Sequence, residues 1–187
     1  MLAHYVFVPM LLLVPAIIGG VLHSLVIKTH TLSWLAVPIK SEWFGANKTW
    51  RGMLVMPLGC LIGEYVTIAL EHLLPPTIRT GLQTLSHGEL VICGLCLGLG
   101  YVLFELPNSW AKRRLGIAEG MLADDARLRH GFLFADQVDS VIGCLVVCWL
   151  FLGFGIPVLG MALVLGVAAH LLVNYSLYLG GIRSRPV

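Results

Sequence analysis

The sequence predicts an all-α integral membrane protein with five transmembrane helices. Of its 187 residues, 58% are hydrophobic and only 12% are charged, which is far more apolar than a soluble globular domain. Five apolar stretches are long enough, or nearly so, to cross a hydrocarbon core, which takes roughly 20 helical residues. They cover residues 6–27, 53–74, 88–106, 138–154 and 158–179. We expect them to form a single transmembrane domain over residues 1–187.

Basic residues are distributed unevenly among the segments between these stretches. Two segments and the C-terminus carry eleven of the twelve, namely Lys28, Lys40, Lys48, Arg51, Lys112, Arg113, Arg114, Arg127, Arg129, Arg183 and Arg185. The remaining segments hold only Arg79. Because cytoplasmic loops carry an excess of Lys and Arg, we expect an external N-terminus, a cytoplasmic C-terminus and two long cytoplasmic loops. The expected location is the inner (cytoplasmic) membrane of the cell.

The five cysteines all fall within the predicted spans. Cys93 and Cys96, and likewise Cys144 and Cys148, have helical spacing, so each pair lies along one helix face. A zinc site would need converging thiolates in a closed tetrahedral arrangement. Buried free cysteine more commonly serves as a small packing residue, and we expect that role here.

Two carboxylates stand three residues apart where a basic segment meets the fourth apolar run. On a helix, Asp136 and Asp139 would share one side and would be close enough to bind a hard cation. Mg²⁺ usually takes one or two carboxylates together with waters and substrate phosphates. The alternative is capping of the helix N-terminus, which explains one aspartate better than both. The pair therefore predicts a magnesium site.

The segment before the second span combines small, polar and basic residues. Asn47 and Thr49 offer short hydrogen-bonding groups, and Lys48 and Arg51 offer cations for phosphate oxygens. The segment leads into a helix N-terminus, which itself favours anions. It is interpreted as a phosphate-binding loop, and an ordinary turn at the membrane surface is the alternative.

A second polar segment follows the third span. It contains Asn108, Ser109 and three consecutive cations, Lys112, Arg113 and Arg114. Three consecutive helical residues cannot all face one way, so at most two of these cations reach a shared ligand. Arg grips a phosphate bidentately, whereas Lys acts as a point charge. A purely topological anchor remains the alternative for this segment.

The order of these motifs is more specific than any one of them. Asn-Lys-Thr-Trp-Arg-Gly, a span, Asn-Ser-x-x-Lys-Arg-Arg-Leu-Gly-Ile and Asp-Gln-x-Asp opening another span together resemble the CDP-archaeol synthase family of membrane cytidylyltransferases, including its bacterial members. The resemblance implies five helices and transfer of CMP from CTP to a phosphorylated lipid, with Mg²⁺ as cofactor and release of pyrophosphate. Gln137 stands where the related CDP-diacylglycerol synthases carry Arg, which favours the archaeol-type branch.

The resemblance also implies roles for individual residues. Asp136 and Asp139 match the metal-binding pair of the family and, with Lys112, are the expected catalytic residues. The nucleotide and phosphate contacts are expected from Asn47, Lys48, Thr49, Arg51, Asn108, Ser109 and Arg113. The expected partners are CTP, a phosphorylated lipid and membrane lipids, and no nucleic acid.

Two other functions are compatible with parts of the sequence. A CDP-alcohol phosphotransferase also uses aspartates and Mg²⁺, but it needs a longer run of them than this chain has. A small transporter or channel is the non-enzymatic alternative, although no inverted repeat is visible. The sequence leaves open the acceptor lipid, the oligomeric state and the roles of Glu64, Glu105, His130, His170 and Asn174.

Overall fold

The computed structural model describes residues 2–182, and six helices form most of it. They are α1 (Leu2–Lys28), α2 (Ser41–Phe44), α3 (Trp50–Glu71), α4 (His87–Arg114), α5 (Ala126–Leu152) and α6 (Ile156–Leu179). Single 3-10 turns lie at Ser33–Leu35, Pro76–Ile78 and Leu82–Thr84. Arg183 and Arg185, which contributed to the predicted orientation, lie outside the described residues.

Five of these helices, all except the short α2, are long and apolar enough to cross a membrane. The prediction of an all-helical membrane protein with five spans is therefore confirmed. In residues 2–182 the only strand-like pairing is one isolated antiparallel bridge, between Pro38 and Thr49. The direction in which the bundle crosses the membrane stays a prediction from the distribution of basic residues.

The helices around the third and fourth spans extend well beyond the apolar runs that predict them. α4 continues to Arg114 and α5 begins at Ala126, so the expected long loop shrinks to residues 115–125. Apolar character ends where a helix leaves the hydrocarbon, but Lys and Arg are good helix formers and backbone hydrogen bonding continues through them. The second polar segment is thus part of α4.

The N-terminus of α5 is capped by a residue other than the predicted site aspartates. Asp125 Oδ1 accepts hydrogen bonds from the backbone N–H groups of Arg127 and Leu128, each at 2.9 Å. Asp136 and Asp139 lie about three turns further along the same helix. The capping alternative for these two aspartates is therefore wrong.

The spanning helices pack into one bundle in which α3 contacts α1 and α4, α5 contacts α4 and α6, and α6 returns to α1. Cys60, Cys93, Cys144 and Cys148 lie buried in the core, and all five cysteines are free thiols, as expected of packing residues. Glu64 is fully buried against Gly94 on α4.

α4 and α5 make their closest approach at a pair of glycines. A Cβ atom at position 100 would lie 2.7 Å from the carbonyl oxygen of Gly143, and a Cβ at position 143 would collide with the backbone of Gly100. Only glycine permits such contact between two helix backbones. About two turns from this contact, towards the end of α4 and the start of α5, the two helices carry the predicted site residues.

Candidate active site

The segment before α3 forms a fixed turn that presents two polar side chains. Thr49 caps α3 by accepting a hydrogen bond from the Gly52 N–H at 3.4 Å. The Ile39 N–H donates to the Lys48 carbonyl at 2.8 Å, which anchors the segment from its other side. Gly45 has a φ of +87°, a conformation that a side chain would strain. Asn47 and Lys48 are thereby held over the end of the bundle.

One face of α4 carries a stripe of polar residues at helical spacing. Tyr101, Glu105, Ser109 and Lys112 follow one another at intervals of three or four residues, so they lie on the same side of the helix. All four side chains line one cavity. Asn108 lies beside this stripe and directs its amide group towards α5.

Asn108 and Lys112 bring the two aspartates together. The Asn108 amide donates to Asp136 Oδ1 at 2.7 Å and to Asp139 Oδ2 at 2.9 Å. The Lys112 ammonium donates to both oxygens of Asp136, at 2.5 and 2.6 Å. Asp139 Oδ1 accepts from the backbone N–H of Ser140 at 2.6 Å. One amide nitrogen thus holds a carboxylate oxygen from each aspartate.

Lys48 forms an ion pair with Glu105 at the same end of the bundle. Burial alone would lower the pKa of Lys48, but the carboxylate of Glu105, with smaller contributions from Asp139 and Asp136, raises that pKa above its ordinary value of 10.5. The raised pKa favours the charged form of the ammonium, so Lys48 contributes a cation to this end of the bundle.

Arg113 adds a third cation to the group formed by Lys48 and Lys112. Its guanidinium lies 3.9 Å from the carboxylate of Glu119, which belongs to the loop between α4 and α5. The same carboxylate accepts a hydrogen bond from the backbone N–H of Ala46. Arg113 Nε is buried and has no hydrogen-bond partner in the structure. The guanidinium thus has unused hydrogen-bonding capacity for an anion.

These groups surround a polar cavity of about 320 Å³. Seven of the ten predicted site residues line it: Asn47, Lys48, Ser109, Lys112, Arg113, Asp136 and Asp139. Asn108 stands behind the aspartates and orients them. The structure does not bring Thr49 and Arg51 to the cavity, because Thr49 caps α3 and the Arg51 guanidinium faces the Thr31 carbonyl at 3.5 Å.

A second, largely apolar cavity of about 300 Å³ adjoins the polar cavity. Side chains from α1 and α6, such as Leu13, Ile17 and Val173, form much of its wall. Six residues line both cavities: Asn47, Lys48, Tyr101, Glu105, His170 and Asn174. The site therefore has a charged compartment and an apolar compartment with shared walls.

The two aspartates suit a magnesium ion by their chemistry and position. Among residues 2–182, no group of three or more His, Cys, Asp and Glu side chains is placed to form a complete metal site. Mg²⁺ does not need one, since it usually takes one or two carboxylates and completes its shell with water and substrate phosphates. Asp136 and Asp139 provide hard oxygen ligands, and one oxygen of each lies within 2.9 Å of the Asn108 amide nitrogen, so the two carboxylates are close together.

Several residues at the site gained no role from the sequence alone. The sequence identifies Glu105, His170 and Asn174 as polar residues near the ends of spans. It gives no such indication for Tyr101 and Glu119. The helical spacing of Glu105 from Ser109 and Lys112 was a usable signal. Glu119 gives no comparable signal, because its contacts depend on how the loop after α4 folds back over Ala46.

The fold and the cavity together define a five-span membrane protein with a charged cavity at one end of its helical bundle. Residues 39–186 match the family described as CarS-like, CDP-archaeol synthase. The chain belongs to this family and is thus an enzyme, a CTP-using cytidylyltransferase of lipid biosynthesis. Family membership separates it from the phosphotransferase and transporter alternatives.

Individual relatives agree with this assignment. A CDP-archaeol synthase of Halobacterium salinarum is 31% identical over 148 residues, which cover 76% of this chain and 75% of the relative. A CDP-archaeol synthase of Haloarcula marismortui is 30% identical over 145 residues, covering 73% and 71% of the two chains. No solved structure is a significant match.

Proposed function

We propose that the protein transfers CMP from CTP to the phosphate of a lipid of the archaeol or diacylglycerol type, with Mg²⁺ as cofactor. An oxygen of the lipid phosphate attacks the α-phosphorus of CTP. The bond from that phosphorus to the oxygen bridging the α- and β-phosphates breaks, and pyrophosphate leaves. The products are a CDP-activated lipid and pyrophosphate.

One observation carries this proposal: three cations and two converging carboxylates line a single cavity that adjoins an apolar one. Both substrates are polyanions and repel each other. Phosphoryl and nucleotidyl transfers depend mainly on positioning the reactants and neutralising their charge. Such a reaction needs no nucleophilic serine or cysteine, and the buried free thiols take no part in it.

The cations act by exchanging partners. In the structure Lys48, Lys112 and Arg113 each face a carboxylate of the protein. We assign the same three side chains to phosphate oxygens of CTP and of the acceptor when these bind. Lys112 stands closest to Asp136 and is the cation that we assign to the reacting phosphate.

Neutral polar groups orient the charged ones. Asn108 holds Asp136 and Asp139 in a fixed relation through its amide group. We assign Asn47 and Ser109 to hydrogen bonds with the nucleotide, since both line the polar cavity. Thr49 and Arg51 lie outside the cavity wall, and we assign them to the shape of the loop that presents Asn47 and Lys48.

Asp136 and Asp139 are the residues that would hold the magnesium ion. A bound Mg²⁺ neutralises phosphate charge and orients the leaving group. Lys112 contacts both oxygens of Asp136, so a divalent cation and this ammonium compete for the same carboxylate. The nucleotide phosphates resolve this competition by giving the ammonium a new anionic partner.

We also propose that the polar cavity faces the cytoplasm. Its end of the bundle carries Lys48, Lys112 and Arg113 together with most other basic residues, while the opposite end of the described chain carries only Arg79. A cytoplasmic site would receive CTP directly from solution. The lipid acceptor would reach the same site from the membrane.

The proposal is tested with purified protein in detergent, supplied with CTP, Mg²⁺ and a phosphorylated lipid. Phosphatidic acid and an unsaturated isoprenoid ether phosphate are assayed side by side, with pyrophosphate release and mass spectrometry of the lipid as readouts. We expect pyrophosphate and a CDP-lipid in equal amounts from at least one acceptor. Chelation of Mg²⁺ should stop the reaction.

Two controls make the result specific. The corresponding unphosphorylated lipid should give no product, because it has no phosphate to attack CTP. CTP with Mg²⁺ should raise the thermal unfolding temperature of the protein more than ATP with Mg²⁺ does, as expected of selective nucleotide binding. Absence of product from every phosphorylated lipid, with CTP binding intact, would contradict the proposed reaction.

A further inference from the structure

The walls shared by the polar and apolar cavities contain polar residues that the nucleotide and the metal do not use. His170 and Asn174 lie one turn apart on α6 and line both cavities. Asn174 is buried, although it sits on one of the most apolar helices of the chain. A buried amide on such a helix is costly unless it has a polar partner. Its position between two cavities suggests that this partner is a ligand.

Ser140 on α5 gives an independent indication. Its side chain is completely buried, lines the apolar cavity and follows directly after Asp139. Its hydroxyl oxygen has no hydrogen-bond partner in the structure. An unsatisfied buried hydroxyl is unfavourable, because it has lost its hydrogen bonds to water without gaining others. Ser140 therefore brings an unused hydrogen-bonding group to the boundary between the metal-binding pair and the apolar space.

We propose that this boundary binds the phosphate of the lipid acceptor, with Ser140, His170 and Asn174 as its ligands and Lys48 as the counter-ion. The hydrocarbon chains of the acceptor lie in the apolar cavity between α1 and α6. This inference rests on the proposed cytidylyl transfer and adds the position of its second substrate. We call these residues the acceptor-phosphate site.

The geometry of the reaction requires a site of this kind. The attacking oxygen must come within about 3–3.5 Å of the α-phosphorus, so the acceptor phosphate has to sit beside the nucleotide in the polar cavity. Its chains must at the same time remain in apolar surroundings. The shared walls of the two cavities meet both conditions, and His170 and Asn174 belong to those walls.

Lys48 is suited to this role despite its ion pair with Glu105. An ammonium group has three hydrogens to donate, and the contact with Glu105 uses one of them. The pairing holds Lys48 at the shared wall before substrates bind. The apolar cavity, at about 300 Å³, is at the lower limit of usual ligand pockets. It would enclose the part of the chains next to the headgroup, and the remainder would extend into the bilayer.

Gly20 offers a direct way to block the chain site without disturbing the headgroup site. It lines the apolar cavity, and a Cβ built on it has no neighbouring atom within 4 Å. Gly160 on α6 is equally unobstructed but exposed, and it lines neither cavity. Gly20→Leu and Gly160→Leu are therefore a matched pair, in which only the first substitution fills the proposed chain site.

The experiment measures KM and kcat for the acceptor that wild type uses, in a long-chain form and in a form with short chains. Gly20→Leu should raise KM for the long-chain acceptor about tenfold and leave the short-chain value within twofold, since about tenfold corresponds to one or two excluded methylene groups. Gly160→Leu should match wild type with both acceptors. Thermal unfolding in detergent verifies that both variants are folded.

The headgroup site is tested with the same two acceptors. Ser140→Ala and Asn174→Ala should each raise KM for both chain lengths about tenfold, the loss expected for a hydrogen bond to a charged group, while KM for CTP stays unchanged. His170→Ala should act in the same way. Ser176→Ala, an exposed serine on α6, is the control.

The outcomes separate this inference from the reaction itself. If wild type gives no pyrophosphate with any phosphorylated lipid, the proposed function fails. If wild type is active but Gly20→Leu behaves as Gly160→Leu does, the chains do not occupy the apolar cavity. If Ser140→Ala and Asn174→Ala behave as Ser176→Ala does, or if they change KM for CTP instead, the acceptor-phosphate site is wrong.

Discussion

Two stretches of the same helix pair, α4 and α5, are built in opposite ways. Near their middle, Gly100 and Gly143 bring the two backbones into contact, with no side chain between them. About two turns away, long polar side chains fill the space, and Lys112 reaches across to Asp136. The glycine contact fixes the separation that the polar end needs. We therefore expect packing in the middle of the membrane to influence the geometry at the cavity.

The comparison predicts that the polar end contributes mainly to activity. Asp136→Asn or Asp139→Asn should lower kcat/KM by about 1,000-fold, because removal of one preorganised charged group at a reaction centre has effects of this order. The side chains remain equal in size, so the thermal unfolding temperature should change little. Pyrophosphate release and thermal unfolding are measured on the same preparations.

Asp124→Asn provides the control for these variants. Asp124 is an exposed residue of the loop before α5 and does not line the polar cavity. It should retain wild-type activity. Activity that survives in both Asp136→Asn and Asp139→Asn would remove the basis for the metal assignment and would leave the aspartates as partners of Lys112 and Asn108 alone.

Lys112 should have the next largest effect. Lys112→Met keeps the length of the aliphatic stem but removes the cation, and we expect kcat/KM to fall about 100-fold. Lys112→Arg should keep more of the wild-type kcat/KM than Lys112→Met does, but not all of it. A planar guanidinium does not reproduce a compact ammonium that donates to both oxygens of Asp136.

Lys28→Met is the matched lysine control, since Lys28 donates to the Gly181 carbonyl at 2.8 Å and lines neither cavity. An equal loss in both lysine variants would indicate that net charge, rather than the position of Lys112, governs substrate binding. Full recovery by Lys112→Arg would show that a cation of any shape is sufficient.

Gly143→Ala tests the other half of the comparison. The new methyl group would meet the carbonyl carbon of Gly100 at 2.6 Å and the Cβ of Phe104 at 3.0 Å, and backbone cannot rotate away as a side chain can. Overpacking of this kind lowers the free energy of unfolding by about 1–3 kcal/mol. We expect a lower thermal unfolding temperature together with reduced activity, because the shift would separate Lys112 from Asp136.

Gly160→Ala is the control, because a Cβ at this position on α6 meets no other atom within 4 Å. It should leave activity unchanged. Stability should stay the same or increase slightly, since alanine has a higher helix propensity than glycine. If Gly143→Ala lowers stability but spares activity, the two regions are independent and the glycine contact serves packing alone.

The difference between the apolar middle and the polar ends of the helices also explains which parts of the fold the sequence predicts. Five spans follow from hydropathy, and all five are present. The ends of α4 and α5 do not follow, because the helices continue through polar residues as far as Arg114 and from Ala126 onward. Membrane insertion depends on apolar length, whereas helix length depends on backbone hydrogen bonding, and the two differ most where a helix enters water.

Some of the site residues follow from the sequence, and others do not. The spacing of Asp136 and Asp139 places them on one face, and the structure joins them through Asn108. Residue type alone did not separate Lys48, which faces the cavity, from Thr49, which caps α3. Which of two neighbouring residues points inward depends on the turn between them, and that turn is set by contacts with residues distant in sequence.

Glu119 should show the smallest effect, and it would appear as a gain. Its carboxylate accepts from the Ala46 N–H and faces the Arg113 guanidinium at the edge of the polar cavity, where an incoming phosphate would compete with it. About half of the Glu119 side chain is exposed, so solvent screens the interaction and its contribution is small. Glu119→Gln should lower KM for CTP about twofold to fivefold at low salt, and the difference from wild type should shrink as salt increases.

The control is Glu42→Gln. Glu42 is an exposed residue on α2 outside the cavity lining, so this substitution should leave KM for CTP unchanged. A higher KM in Glu119→Gln would mean that this carboxylate holds Ala46 and Arg113 in their binding positions instead of opposing the nucleotide.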